Sequence, residues 1–354
     1  MIEAFDYAGS PARIVFGAGA IARTAEMIEA LGCGRALVLA TPHQEADAEA
    51  LADRLGPLAA GVFAEAAMHT PVAVSERALE AMRTAGADST IALGGGSTTG
   101  LGKAIAYRLD TPQIAIPTTY AGSEVTPILG QTEDGVKTTL TSPRVLPEIV
   151  IYDPELTLGL PPGMTVTSAL NAVAHAAEAL YARDRNPVSS LMAAEGVRAF
   201  VEALPTLAEA PRDLPARTQA LYGAWLCGTV LGTVGMALHH KLCHTLGGSF
   251  DLPHAQTHAI VLPHAVAYNE AAAPDLLAPI AQALRAERAG AGLHAFATRI
   301  GAPTALRDLG LAEADLDRAA DLATRNPYWN PRPVTREGVR ALLDAAWRGD
   351  PPNA

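Results

Sequence analysis

Between Arg13 and Tyr152, short apolar runs alternate with longer amphipathic stretches. Arg13–Phe16, Arg35–Ala40, Gly61–Phe63, Thr90–Leu93, Gln113–Pro117 and Glu148–Tyr152 read as strands. Helical periodicity fills residues 20–31, 44–56 and 71–86 and the stretch running to about residue 109. Alternating strands and helices imply a mostly parallel sheet covered on both faces. A hairpin is expected within residues 135–151. From Thr165 onward the strand pattern disappears. Helices are expected near 164–183, 187–203, 212–232, 235–247, 255–271, 273–299, 303–307, 312–323 and 335–347. Asp153-Pro154 and Leu160-Pro161-Pro162 punctuate the change, so the pattern predicts an α/β domain over residues 1–157 and an all-α domain over 158–354.

Composition narrows the partners. The 354 residues are 49% hydrophobic with a net charge of −11, which disfavours a nucleic-acid or anionic-membrane surface. No apolar run reaches bilayer length, and Met1–Tyr7 shows no secretory pattern. Cys33, Cys227 and Cys243 form no CxxC pair, so a reducing, cytoplasmic setting is expected. Cys243 reads as a small buried residue rather than a nucleophile.

Two turns carry glycines at strand–helix junctions. Gly17-Ala-Gly-Ala-Ile-Ala22 has the form of a dinucleotide turn, or simply shapes the chain into a helix. Gly94-Gly-Gly-Ser-Thr-Thr-Gly-Leu-Gly-Lys103 is more specific. A pyrophosphate leaves no room for Cβ atoms, and the following helix offers free N–H groups and the positive end of its dipole. The loop after the next strand is rich in hydroxyls. Ligands of parallel sheets bind beyond the carboxyl ends of the strands, so Thr118, Thr119 and Ser123 should face the same ligand as Gly95 and Gly96.

The chemistry concentrates further on. Six of the ten histidines fall between His239 and His264. Gly247-Gly248 and Pro253 are expected to fold this stretch back, aiming several imidazoles at one place. Asn171 and His175 share a helix face that meets it. In the proline-rich segment 325–334, Arg325 and Arg332 suit a bidentate grip on a carboxylate. Candidate substrate contacts are His258, Tyr328 and Arg332.

In order, GGGS, PTTYAGSE, YDPELTLGLP, an N-x-x-x-H helix and CHTLGG-x5-H resemble the iron-containing (group III) alcohol dehydrogenase superfamily over nearly the whole chain. That resemblance implies a dinucleotide-binding α/β domain, a helical domain and a homodimer. It implies that Gly94, Gly95, Gly96 and Ser97 bind the pyrophosphate of NADH or NADPH, with Thr118, Thr119 and Lys137 along the nucleotide. The family's metal ligands, one Asp and three His, match Asn171, His175, His244 and His254. A neutral amide replaces a carboxylate poorly at a divalent cation. With the terminal NPRPV, Asn171 makes the chain look most like the maleylacetate reductase branch, which works without metal. The implied substrate is the dianion maleylacetate, reduced at its conjugated C=C bond to 3-oxoadipate in the breakdown of aromatic compounds. A carboxylate at position 171 would repel each substrate charge by ~3 kcal/mol at about 5 Å and an effective dielectric near 20. The roles implied for Asn171, His175, His244 and His254 are catalytic, with His244 as donor to the developing enolate. No acid follows the second strand at Ala40–His43, so nothing there repels a 2′-phosphate. The rival readings are a metal-dependent alcohol or polyol dehydrogenase, a non-catalytic nucleotide-binding protein and a lyase of the dehydroquinate synthase type.

Overall fold

The computed structural model describes residues 4–352. The chain forms two compact units, Gly9–Leu160 and a second that combines the residues up to Ala8 with those from Pro161 onward. In the first, strands β1 (Arg13–Phe16), β2 (Ala36–Leu39), β3 (Ala59–Phe63), β4 (Ser89–Gly94) and β5 (Gln113–Pro117) alternate with helices. These are α1 (Thr24–Ala30), α2 (Glu45–Leu55), α3 (Val72–Ala85) and α4 (Gly96–Leu109). A hairpin, β6 (Ile128–Glu133) and β7 (Val136–Thr141), precedes β8 (Ile149–Tyr152). The hairpin thus lies earlier than the sequence pattern placed it, turning at Asp134-Gly135, both at positive φ.

Six strands form one parallel sheet in the order β1-β8-β5-β4-β2-β3. Its strands are near-continuous apolar runs because both faces are covered. On one face Met27, Ile28 and Leu51 pack against Val38, Ile91 and Ile114. On the other, Leu101 and Ile105 of α4 pack against Leu37 and Leu39. Register sets Gly94 beside Pro117, which aligns the loops leaving β4 and β5.

The second unit is helical: α5 (Pro162–Tyr181), α6 (Pro187–Glu209), α7 (Leu214–Leu231), α8 (Leu238–Phe250), α9 (His254–Glu270), α10 (Pro274–Leu284), α11 (Ala289–Arg299), α12 (Leu316–Thr324) and α13 (Arg336–Arg348). Helix α5 runs through the middle, packed by α6, α7 and α9, and is buried from Thr165 to Tyr181 except at Ser168. Arg217 of α7, fully buried, donates to the Thr165 hydroxyl at 2.9 Å and ties α7 to α5. Two expectations need correction. The helix expected over 273–299 is two, broken where Arg285 turns left-handed at φ 53°. The buried Glu270 carboxylate then caps α11 by accepting from the N–H groups of Ala289 and Gly290. The helix expected at 303–307 is a single 3₁₀ turn, Leu306–Leu309, closed by Gly310 at positive φ.

Candidate active site

Helices α8 and α9 fold back on each other, and five of their six histidines gather on one side; His264 lies instead 6.1 Å from the ring of His294 on α11. The turn is made by Asp251 (φ 55°) and Pro253, not by Gly247-Gly248, which stay inside α8. A Cβ on Gly247 would lie 3.7 Å from the Leu252 carbonyl, an ordinary contact, so the return of the chain does not depend on glycine there.

His240 stands at the centre of the cluster. Its ring lies 5.3 Å from that of His175, 5.3 Å from His239, 5.1 Å from His258 and 6.0 Å from His244. His254 packs on His258 at 4.2 Å. The sequence motif assigned His244 to a place beside His175; the structure sets His240 there. The two lie four residues apart on α8 and share a face, so spacing alone offered both.

The buried Glu178 organises this group. One oxygen accepts from the Ala237 N–H and from His240 Nδ1, both at 2.7 Å; the other accepts from the His239 N–H at 2.7 Å. A carboxylate only accepts, so Nδ1 of His240 carries a proton and its Nε2 points away from Glu178. That Nε2 has no hydrogen-bond partner among the described residues. Sequence reasoning missed Glu178, although Asn171, His175 and Glu178 form an i, i+4, i+7 stripe on α5.

Burial, followed by neighbouring imidazoles, holds His175, His239 and His258 well below the usual histidine range, so these rings are neutral near pH 7. His239 Nε2 and His258 Nδ1 share one proton at 3.0 Å. Cys243 Sγ lies 3.6 Å from the same nitrogen, and these three side chains are close enough to hold a metal ion. Burial, then Glu178, pushes the Cys243 thiol up, so it stays protonated and behaves as a core residue.

His244 and His254 are exposed. His244 Nδ1 lies 3.2 Å from the Tyr328 hydroxyl. Asn330 sets that contact. It exchanges amide hydrogen bonds with Asn269 at 3.0 and 2.7 Å and accepts from the Leu238 N–H at 3.4 Å. Arg332, expected to contact substrate, is placed elsewhere. Its guanidinium stacks 4.2 Å over the Tyr268 ring and donates to the Tyr268 carbonyl at 3.0 Å. Tyr268 lies ten residues beyond His258 on α9, roughly 15 Å along the axis at 1.5 Å per residue.

In the α/β unit, the Gly94–Ser97 turn is built as a cradle. Gly94 has φ +151°, and a Cβ there would meet Thr98 Oγ1 at 2.5 Å and Gln44 Oε1 at 2.8 Å. A Cβ on Gly95 would meet Thr119 at 3.0 Å. No side chain caps the N-terminus of α4, whereas Gly96 is exposed and Ser97 half-buried. Thr118 donates its N–H to the Gly94 carbonyl at 3.0 Å, and its hydroxyl accepts from Gln44 Nε2 at 3.2 Å. Gln44 was not foreseen; it reaches from the end of β2 across two strand ends. The loop that follows is anchored by the buried Lys103, whose ammonium donates to the carbonyls of Ser123, Thr126 and Ile128 at 2.6–2.8 Å. The earlier glycine turn is structural: its Gly19 and Ile21 N–H groups donate to the Asp153 carboxylate at 3.1 and 3.0 Å. Lys137 lies on the exposed strand β7, paired in register with Thr132.

Both units match one family. Residues 11–154 fit the model of the iron-containing alcohol dehydrogenases, and residues 165–347 fit the C-terminal model of the Fe-containing alcohol dehydrogenase family. The chain belongs to the iron-containing alcohol dehydrogenase family. Within it, a protein named maleylacetate reductase from Rhizobium sp. (strain MTP-10005) is 67% identical over 99% of this chain and 100% of its own. One of the same name from Burkholderia cepacia is 56% identical over 99% and 100%. The crystal structure of maleylacetate reductase from Agrobacterium tumefaciens has a TM-score of 0.97 at 66% identity, covering 99% of this chain and 100% of that one.

The family name raises the question of metal. Nitrogen donors are present in His175, His240 and His254, beside the Asn171 amide, whose Oδ1 has no partner among the described residues. A carboxylate donor is not: Glu178 already accepts four hydrogen bonds, the fourth from the Tyr181 hydroxyl at 3.4 Å. Three imidazoles and an amide suit a hard cation such as magnesium poorly, and they lack the carboxylate that would balance the charge of iron or zinc.

Proposed function

We infer that this protein is a maleylacetate reductase, reducing the C=C bond of 4-oxohex-2-enedioate at the expense of NADH or NADPH and without a bound metal. The observation that carries this reading is the His244–Tyr328 donor pair standing in a cluster whose family carboxylate has become Asn171. NADH or NADPH, bound at the Gly94–Ser97 cradle and Thr118–Thr119, supplies the hydride. The carbon that receives it is C2, β to the ketone, and the C2=C3 electrons move to form a C3=C4 enolate.

The chain's own residues then have two tasks. The first is to meet the charge forming on the C4 oxygen. His240 cannot do so while neutral, because Glu178 fixes its N–H on the far side of the ring. The exposed His244, backed by the Tyr328 hydroxyl, takes that role. The second is to deliver one proton to C3, which restores the ketone; the Tyr328–His244 pair holds an exchangeable proton at the same edge. Burial, then Glu178, raises Tyr328 above the usual tyrosine range, so its hydroxyl stays protonated and able to donate. Asn171 keeps a negative charge away from a dianionic substrate.

The test is NADH oxidation with maleylacetate before and after exhaustive chelation, with the product identified. Equal rates and 3-oxoadipate as product are expected. A rate lost on chelation and restored by iron, zinc or manganese would favour a metal-dependent alcohol dehydrogenase instead.

A further inference from the structure

The chain has 26 basic residues, and only three are lysines: Lys103, Lys137 and Lys241. Lys103 is consumed in the loop clamp, and Lys137 lies on the β6–β7 hairpin. Lys241 alone belongs to the helical unit, and it stands among the reacting groups. It sits one residue after His240 and three before His244, so its side chain neighbours that of His244 on α8. Its ammonium lies 5.7 Å from the centre of the Tyr328 ring, and the same ring lies 6.2 Å from that of His244. Lysine and histidine thus flank one phenol. Lys241 is half-buried and forms no ion pair among the described residues.

The cluster offers little other positive charge. His175, His239 and His258 are neutral, Asn171 is an amide, and the Glu178 charge is taken up by its four donors. Arg332, which sequence reasoning assigned to a carboxylate, is spent on Tyr268. A dianion held here needs a cation, and a compact ammonium beside an aromatic face supplies one.

We propose that Lys241 binds the C6 carboxylate of the substrate, the one two bonds from the ketone carbon. This rests on the maleylacetate reading above. With the ketone oxygen at His244, that carboxylate falls on the neighbouring position of the same helix face. The pairing also explains how the site would separate maleylacetate from 4-oxopent-2-enoate, the monoanion left when this β-keto acid loses carbon dioxide.

The experiment compares wild type, Lys241→Met and Lys241→Arg on maleylacetate and on 4-oxopent-2-enoate, which lacks the C6 carboxylate. In the wild type, removing that carboxylate should lower kcat/KM roughly 10- to 100-fold, the range of a hydrogen bond to a charged group. Lys241→Met should show a similar loss on maleylacetate, carried by KM, and little further loss on the truncated substrate; Lys241→Arg should recover part of it. Calorimetric binding of 3-oxoadipate should weaken in parallel in Lys241→Met while NADH affinity holds. If Lys241→Met does not fold, Lys241→Gln takes its place. A variant that still discriminates between the two substrates as the wild type does overturns the role of Lys241 alone. A wild type that neither oxidises NADH with either compound nor binds 3-oxoadipate overturns the maleylacetate reading beneath it.

Discussion

Of the two exposed histidines of the cluster, His244 and His254, it is His244 whose ring leans on a phenol. The cluster's His175, His239, His240 and His258 are buried, and three of them are held by partners: His240 by Glu178, and His239 and His258 by each other. A ring held in one tautomer positions its neighbours; a ring at the surface with a hydroxyl behind it is suited to exchange a proton with substrate. Replacing His244 with Ala should lower kcat about 100- to 1000-fold, the cost of one transition-state donor, and leave NADH affinity unchanged. Stopped-flow turnover and fluorescence titration of NADH measure the two quantities. A near-normal kcat would move the donor role to another ring. At this scale the sequence was informative about residue type and vague about roles. The histidines and Asn171 stood out by their density and spacing. Glu178 did not, because one acid in a helix says nothing until the N–H groups it caps are brought to it from 59 to 62 residues away.

Among the elements, α4 and the loop 325–334 place the most chemistry. The α4 N-terminus is uncapped, and three glycines approach it without side chains. At Gly94 and Gly95 a Cβ would strike Thr98, Gln44 or Thr119, so substitutions there disturb packing as well as ligand binding. Gly96 is the cleaner probe, since its added Cβ would only meet Ala121 Cβ at 3.8 Å. Gly96→Val should keep its melting temperature within a few degrees and lose NADH binding by at least about 10-fold, because the branched side chain fills the space a pyrophosphate needs. Normal NADH affinity by titration would place the nucleotide elsewhere. The glycine cradle was legible because its backbone demand is written in consecutive residues. The loop 325–334 was legible only as rigid. Which of its side chains faces the histidines depends on Asn330 locking onto Asn269 and Leu238, a contact across 61 and 92 residues. That lock turns Tyr328 toward His244 and leaves Arg332 over Tyr268.

At the level of the whole molecule, the alternation of strand and helix gave the architecture, since both periodicities are local. The breaks in it were less visible. Arg285, which ends α10, has no intrinsic preference for the left-handed region, and tertiary capping by Glu270 decides the matter. Burial of so many histidines has a consequence for stability. Their folded-state affinity for protons lies below that of the unfolded chain. As pH falls through about 6.5, the unfolded chain gains protons that the folded chain refuses, so stability must drop. Each such group costs up to ~1.4 kcal/mol per pH unit below that point. The melting temperature should therefore decline from pH 7.5 to pH 5.5. A flat or rising profile would mean that the buried rings take up protons as readily as free histidine.

The central claim is that a chain of an alcohol dehydrogenase family delivers hydride to carbon C2 of an enone and not to its carbonyl carbon. Deuterium labelling decides it. Maleylacetate is reduced by the chelator-treated enzyme with nicotinamide-4-deuterated NADH, using the diastereomer that transfers its label, and the product is read by NMR. The expected result is one deuterium on the former C2, an unlabelled former C3 and an intact ketone; deuterium on the former carbonyl carbon of a hydroxy acid would contradict the mechanism drawn from His244, Tyr328 and Asn171.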